Sequence, residues 1–187
     1  DVYKRQAYDG DKGPNTGGMG AYSPVPQISN ETVQRAIDEI VRPTVEGLAK
    51  EGTPFTGVLY AGLIDTATGP KVIEFNARFG DPETEVVLPR LTSDFGAAIW
   101  NILRHKSPTF TWKNSGVTLG VIIASEGYPG TLVTGTQLPQ IPVDENQGQH
   151  VYYAGVKSDE KSGKLLTSSG RVALVQVHGN DVKAVSY

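Results

Sequence analysis

The sequence predicts an α+β fold, in which helices and an antiparallel hairpin precede a β-rich module. Apolar residues recur at helical spacing over residues 33–48. Two apolar segments flank the turn sequence Asp65–Gly69, a pattern that is typical of a β-hairpin. Short apolar segments between Gly and Pro turns follow in the last third of the chain. We therefore expect two domains, covering residues 1–115 and 116–187.

Local signals predict where the first helices begin and end. Ser29 or Asn30 is a suitable N-cap for the helix of residues 33–48. Pro43 falls inside this stripe and should kink or split the helix, because it lacks an N–H group. Gly52 should end the helix.

Two shorter helices are expected further along the chain. Asp81 is a possible N-cap, with Pro82 at the first helical position. Thr92 or Ser93 should cap the next helix.

Composition limits the possible partners and compartment. The net charge of −3 disfavours a broad basic surface for nucleic acid, so no nucleic-acid partner is expected. The longest apolar runs fall far short of the ~20 residues that a membrane helix needs. The sequence contains no cysteine, which is consistent with a cytoplasmic protein.

The segment VIEFNARF contains a candidate metal site. If it is a strand, alternation places Val72, Glu74, Asn76 and Arg78 on one face. The opposite face would be a core face, formed by Ile73, Phe75, Ala77 and Phe79. Glu74 and Asn76 would lie roughly 6 to 7 Å apart, which suits two oxygen ligands of a hard divalent ion. An exposed polar strand face explains the same short pattern and stays open.

The glycine-rich stretch AYDGDKGPNTGGMGAYSP has no hydrophobic periodicity. It is not a Walker loop, because no Gly-Lys-Ser/Thr follows, and it is not a dinucleotide fingerprint. Long loops of this kind are often functional, and glycines let backbone N–H groups approach an anion. The stretch is interpreted as a loop over a polar or anionic ligand, or as a surface loop with several turns.

Several motifs together resemble the phosphoribosylamine–glycine ligases of the ATP-grasp superfamily. The glycine-rich DGDKGPNTGGMGAYSP, the strand GVLYAGL and the segment VIEFNARFGDPETE occur in the family's order. LGVIIASEGYPG, AGVK and SSGRVALV resemble its C-terminal domain. The resemblance covers about residues 7–182.

The resemblance implies a more specific fold. Residues 1–115 would form the second lobe of an ATP-grasp domain, an antiparallel sheet with packed helices. Residues 116–187 would form a small β-rich C-terminal domain. The family's full chain begins with a Rossmann-like domain and an adenine-clamping subdomain. These N-terminal domains do not occur in this sequence, so we expect it to be a C-terminal part that is inactive by itself.

The resemblance also implies a reaction and its residues. Glycine, 5-phosphoribosylamine and ATP would be the substrates, in a glycyl phosphate mechanism of purine biosynthesis. Glu74 and Asn76 would hold Mg²⁺ or Mn²⁺ between the ATP phosphates, and Arg78 would be the catalytic cation. The substrate-binding residues would be Asp9, Asn15, Thr16, Gly17, Gly18, Gly20, Asp81 and Glu83.

Two other interpretations stay open. Another ATP-grasp carboxylate–amine ligase would need the same metal strand for a different acid. A non-catalytic binding or assembly module would catalyse no reaction.

Overall fold

The computed structural model describes residues 6–8, 10 and 12–181. Contacts divide the chain into two compact units. The first unit comprises Val25–Gly80 and Leu91–Trp112. The second comprises Asp81–Arg90 with the described parts of Tyr3–Pro24 and Lys113–Tyr187. Helices and antiparallel sheets are both present, which confirms the predicted α+β class.

The described residues contain four α-helices and ten strands. The α-helices are α1 (Asn30–Ala36), α2 (Arg42–Lys50), α3 (Glu83–Val87) and α4 (Phe95–Leu103). The first strands are β1 (Gln6–Tyr8), β2 (Lys12–Asn15), β3 (Gly20–Ser23), β4 (Tyr60–Thr66) and β5 (Gly69–Asn76). The later strands are β6 (Val117–Ala124), β7 (Gln149–Tyr153), β8 (Val156–Ser158), β9 (Leu165–Thr167) and β10 (Arg171–Gly179). A π-helical turn covers Ile37–Val41, and 3₁₀ turns cover Leu88–Arg90 and Glu145–Gln147.

Helices α1 and α2 of the first unit follow the predicted capping signals. The hydroxyl oxygen of Ser29 accepts the N–H of Thr32, which confirms the predicted N-cap. The predicted interruption near Pro43 takes the form of the π-helical turn that precedes α2. Because Pro43 has no N–H, it cannot donate to the carbonyl four residues earlier. Gly52, at φ 78°, follows α2 in the left-handed conformation that glycine tolerates best.

Strands β4 and β5 form the predicted antiparallel hairpin. Thr66 pairs with Gly69, so residues 67 and 68 form a two-residue turn. The Thr66 hydroxyl donates to the Gly69 carbonyl at 2.8 Å and accepts the N–H of Thr68 at 3.2 Å. These bonds close the turn and fix the register of the two strands.

A β-bulge interrupts the hairpin midway. Leu63 pairs with Val72, whereas the preceding Gly62 pairs with Glu74, which leaves Ile73 as the extra residue. The alternation of faces predicted from residue 72 onward is therefore broken at this point. From Glu74 to Asn76 the pairing is regular again.

The apolar face predicted as core is wrong for the described chain. The exposed fractions of Ile73, Phe75 and Phe79 are 39%, 38% and 42%, and Ala77 is also exposed. The sheet of β4 and β5 has two strands, and helix α1 contacts β5. A two-stranded sheet offers too little neighbouring surface to bury an apolar face completely.

The predicted cap of α4 is also wrong. Asp94, and not Thr92 or Ser93, occupies the N-cap, and its carboxylate accepts the N–H of Ala97 at 2.8 Å. Ser93 instead accepts the N–H of Thr111 at 3.2 Å through its hydroxyl. Any of the three side chains can cap a helix, so tertiary contacts decide between them.

The second unit is built on a four-stranded antiparallel sheet in the order β3, β6, β10, β7. Val172, Ala173 and Leu174 of the central β10 are at most 3% exposed. Helix α3 packs on β3 and β6 and buries Val86. The apolar segments of residues 117–179 that were predicted as strands are confirmed.

The glycine-rich stretch is less irregular than predicted. Lys12–Asn15 forms β2, which pairs with β1, and Gly20–Ser23 forms the edge strand β3. Residues 16–19 connect the two strands. No helix in the described part of the chain is both long and apolar enough to cross a membrane.

Candidate active site

The end of β5 places the predicted metal ligands on one strand face. Glu74 pairs with Gly62 and Asn76 with Tyr60, so no bulge lies between the two side chains. Residues two apart in a regular strand project to the same side. Glu74 is exposed and Asn76 is half-buried, so a ligand from solvent can reach both.

Arg78 lies beyond the strand that was expected to carry it, because β5 ends at Asn76. Its guanidinium donates to the Phe79 carbonyl at 2.8 Å and to Asn76 Oδ1 at 3.4 Å. The second contact holds a cation beside the amide oxygen of Asn76. Arg78 is itself exposed, so its remaining N–H groups face solvent.

The donor set at this strand end fits a small hard cation. A carboxylate and an amide oxygen are ligand types that Mg²⁺ accepts, with water and phosphate oxygens completing its octahedron. Within the described residues no group of three or more His, Asp or Glu side chains is arranged to hold a metal ion. A cation held by Glu74 and Asn76 would therefore need further oxygen ligands, such as phosphate oxygens and water.

The connection between β2 and β3 is held by side chains of the second unit. The N–H of Gly17 donates to Tyr128 Oη at 2.8 Å. Gly18 is buried, and its carbonyl accepts from Arg171 Nη1 at 3.1 Å. A Cβ atom on Gly18 would overlap Cδ of Pro82. A Cβ atom on Gly17 would lie 3.2 Å from Arg171 Nε and from Tyr128 Oη, so packing restricts this position less than position 18. Substrate binding by either glycine stays a prediction.

The other predicted residues of this stretch differ in exposure. Asn15 is exposed at the end of β2, and Thr16 is half-buried. Gly20 starts β3, where an added Cβ would lie 2.9 Å from the Gly120 carbonyl oxygen. Asp9 lies outside the described residues. The Asn15 side chain and, in part, the Thr16 side chain are accessible from solvent.

The segment after Gly80 is held by an ion pair. Asp81 Oδ1 lies 2.9 Å from Arg171 Nη1, and the Asp81 carbonyl accepts from the same nitrogen at 2.8 Å. Asp81 is not the cap of α3, because Pro82 occupies that position without a side-chain hydrogen bond. Glu83 is the first residue of α3 and is half-buried.

Sequence reasoning missed Arg171 and Tyr128. Their contacts with Gly17, Gly18 and Asp81 span 90 to 153 residues along the chain. One signal was available, since Arg171 is a single charge at the start of the apolar segment RVALVQV. A charge at the edge of a buried strand needs a partner.

Helix α3 carries Glu85, a carboxylate that is partly buried. Glu85 Oε2 is buried and makes no hydrogen bond within the described structure. Burial raises the pKa of the Glu85 carboxyl, and the charges of Asp81 and Glu83 raise it further. Burial also raises the pKa of the Tyr152 hydroxyl, to which the charge of Glu85 adds.

Glu85→Gln should become more stable relative to the wild type as the pH rises from about 4 to 7. The raised pKa of Glu85 means that the folded chain binds more protons than the unfolded chain above the ordinary carboxyl pKa. The stability that this group contributes is therefore lost as the pH rises through its folded pKa. Urea unfolding at a series of pH values measures the difference. Glu46→Gln, on an exposed carboxylate of α2, is the control, and a pH-independent difference for Glu85→Gln would contradict the expectation.

Two family models match the chain. The model described as phosphoribosylglycinamide synthetase, ATP-grasp (A) domain, matches residues 2–84. The model described as phosphoribosylglycinamide synthetase, C domain, matches residues 118–186. Glu74, Asn76 and Arg78 fall in the first match, and Tyr128 and Arg171 fall in the second.

Individual relatives agree with the family models. The chain is 59% identical over 180 residues to phosphoribosylamine–glycine ligase of Lactococcus lactis, covering 96% of this chain and 42% of that protein. It is 56% identical, with the same coverage, to the enzyme of the same name from Streptococcus pneumoniae. The chain thus spans about two fifths of the length of these relatives.

A solved structure supports the same assignment. The crystal structure of phosphoribosylamine–glycine ligase from Thermotoga maritima matches with a TM-score of 0.78 and 34% identity, covering 99% of this chain and 44% of that one. The sequence motifs, the two family models and this structural match all agree. The chain therefore belongs to the phosphoribosylglycinamide synthetase family and carries regions of its ATP-grasp and C domains.

Proposed function

We propose that this region is part of an ATP-dependent ligase that joins glycine to 5-phosphoribosylamine. The products would be glycinamide ribonucleotide, ADP and phosphate, in cytoplasmic purine biosynthesis. The names of the curated relatives support this reaction. Since the chain spans 42% of their length, the activity is assigned to a longer polypeptide that contains this region. The additional N-terminal domains would bind the adenine of ATP.

The end of β5 is the observation that carries the proposal. Glu74 and Asn76 present two oxygen donors on one accessible strand face, with the Arg78 guanidinium beside the amide. Glu74 and Asn76 would hold Mg²⁺ or Mn²⁺, which would neutralise charge on the ATP phosphates. The two donors differ in charge, so Glu74 would supply most of the attraction and Asn76 a second fixed position.

Arg78 would act on the transferring phosphoryl group. The family's mechanism has the glycine carboxylate attack the γ-phosphate, which gives glycyl phosphate and ADP. A guanidinium close to the transferred oxygens stabilises their charge by charge-assisted hydrogen bonds. The hydrogen bonds to the Phe79 carbonyl and to Asn76 Oδ1 favour one orientation of the exposed Arg78 side chain. This preorganisation lowers the cost of placing the cation during the reaction.

The remaining residues of the proposal would bind substrates. The glycine-rich connection between β2 and β3 (residues 16–19) would bind the substrate glycine and shield the acyl phosphate from water. Asp81 and Glu83 would orient Arg78 or bind the substrate amine. The full set is Asp9, Asn15, Thr16, Gly17, Gly18, Gly20, Asp81 and Glu83. We further propose that the domain boundary lies between residues 115 and 116.

The full-length enzyme should produce ADP in sustained turnover only when glycine, 5-phosphoribosylamine and ATP are all present. Coupled measurement of ADP, with each substrate omitted in turn, tests the reaction. Alanine in place of glycine should lower kcat/KM by at least about 10-fold, because its methyl group must fit a site shaped for hydrogen. Equal turnover with other carboxylic acids would favour a different ATP-grasp ligase. No turnover with any acid would favour a binding or assembly role.

A further inference from the structure

Arg171 joins two segments that the proposed function assigns to substrate binding. Its Nη1 atom lies 3.1 Å from the Gly18 carbonyl oxygen, 2.8 Å from the Asp81 carbonyl oxygen and 2.9 Å from Asp81 Oδ1. The Arg171 side chain is 25% exposed, whereas that of Asp81 is 46% exposed. A mostly covered cation with three oxygen partners stabilises one arrangement of both segments.

Tyr128 holds the neighbouring residue of the same connection. Its hydroxyl oxygen accepts the Gly17 N–H at 2.8 Å. Its ring packs against Gly170, where an added Cβ would overlap the ring carbons. Gly170 directly precedes Arg171, so the contact also positions the start of β10. Consecutive backbone groups of Gly17 and Gly18 are thus held by two side chains that lie far away in sequence.

We infer that Tyr128 and Arg171 are positioning residues that hold Gly17, Gly18 and Asp81 in the arrangement needed to protect the acyl phosphate. The inference rests on the proposed function. Both side chains lie in the C-domain match, whereas their three partners lie in the ATP-grasp match. The C domain would therefore act on the reaction through the backbone of the glycine-rich connection, without touching substrate.

The chemistry makes this role measurable. In productive turnover the amine of 5-phosphoribosylamine attacks the glycyl carbonyl carbon. A C–N bond forms, the bond from that carbon to the phosphate oxygen breaks, phosphate leaves and the amine loses a proton. If water attacks the same carbon, the products are glycine and phosphate. If Tyr128 and Arg171 no longer hold the connection between β2 and β3, more water reaches the acyl phosphate. Phosphate release should then exceed formation of the amide product.

The test compares three variants of the full-length enzyme. Tyr128→Phe removes the acceptor of the Gly17 N–H and keeps the ring against Gly170. Arg171→Lys keeps the charge but loses the planar donor group, and Arg171→Met loses both. Tyr153→Phe is the matched control, because Tyr153 is 51% exposed on β7 and has no role in the proposal. Phosphate and glycinamide ribonucleotide are measured in the same reaction.

We expect more than one phosphate per amide product for Tyr128→Phe and for both Arg171 variants. The expected fall in kcat/KM for glycine is about 2- to 10-fold for the single hydrogen bond lost in Tyr128→Phe. Arg171→Lys should restore part of the coupling lost in Arg171→Met. The Tm of Tyr128→Phe should stay close to that of the wild type. A fall in kcat/KM would then come from lost positioning and not from lost stability.

Each other result has a definite meaning. A ratio of one in all three variants, with unchanged kcat/KM, would overturn the inference while the wild-type reaction stands. Absence of glycine-dependent product in the wild type would instead reject the proposed function. If Arg171→Met does not fold, Tyr128→Phe and Arg171→Lys still decide between a coupled and an uncoupled enzyme.

Discussion

Glu74→Ala should lower kcat/KM for glycine of the full-length enzyme by about 10²- to 10³-fold, the range found when one preorganised group that stabilises transition-state charge, such as an oxyanion-hole donor, is lost. Glu74 supplies the anionic oxygen of the proposed pair at the end of β5. Its loss leaves the neutral amide of Asn76, with the Arg78 cation 3.4 Å away, to hold a divalent ion. Steady-state kinetics at saturating ATP and at one fixed Mg²⁺ concentration, below saturation for the variant, measure the effect.

The control for Glu74→Ala lies on the same hairpin. Asp65→Ala removes an exposed carboxylate near the other end of β4 and β5, and should change kcat/KM by less than about two-fold. Raising Mg²⁺ should recover part of the activity of Glu74→Ala, because weaker metal binding responds to concentration. Turnover of Glu74→Ala equal to that of Asp65→Ala would contradict the assignment of this strand.

Gly18→Ala should destabilise the second unit by about 1–3 kcal/mol, the usual cost of forcing an extra methyl group into a packed site. The new Cβ would overlap Cδ of Pro82 and lie 3.0 Å from the Asp81 carbonyl oxygen. Pro82 is less than 2% exposed and has little room to move. At roughly 2–4 °C per kcal/mol, calorimetry should detect the shift in Tm.

Gly47→Ala provides a control with the opposite sign. Gly47 lies within α2, and an added Cβ would meet no atom within 4 Å. Alanine in an open helical position stabilises by about 0.5–1 kcal/mol, because it restricts the unfolded chain. A Gly18→Ala variant as stable as Gly47→Ala would show that the connection between β2 and β3 does not pack on Pro82.

Much of the local structure could be predicted because it depends on neighbours in sequence. The Ser29 cap and the turn between β4 and β5 follow from side-chain chemistry within four residues. The position of Glu74 and Asn76 on one face follows from strand periodicity alone. The family resemblance added the chemistry that this short pattern cannot carry by itself.

Features that depend on distant partners could not be predicted. The bulge at Ile73 arises from the register with β4, which a single-strand pattern does not contain. Asp81 looked like a helix cap, but an ion pair with Arg171, 90 residues away, determines its position. The exposure of Phe75 likewise depends on how many strands surround β5, and not on its own hydrophobicity.

Binding of Mn²⁺ to the full-length enzyme in the presence of ATP is the most direct test of the site at the end of β5. Electron paramagnetic resonance measures the affinity without requiring turnover. Glu74→Ala and Asn76→Ala should each weaken Mn²⁺ binding by at least about 10-fold, since even residues outside the ligand shell cost 10- to 100-fold. Asp65→Ala should leave the affinity unchanged. Equal Mn²⁺ affinity in the wild type and in both β5 variants would contradict the account.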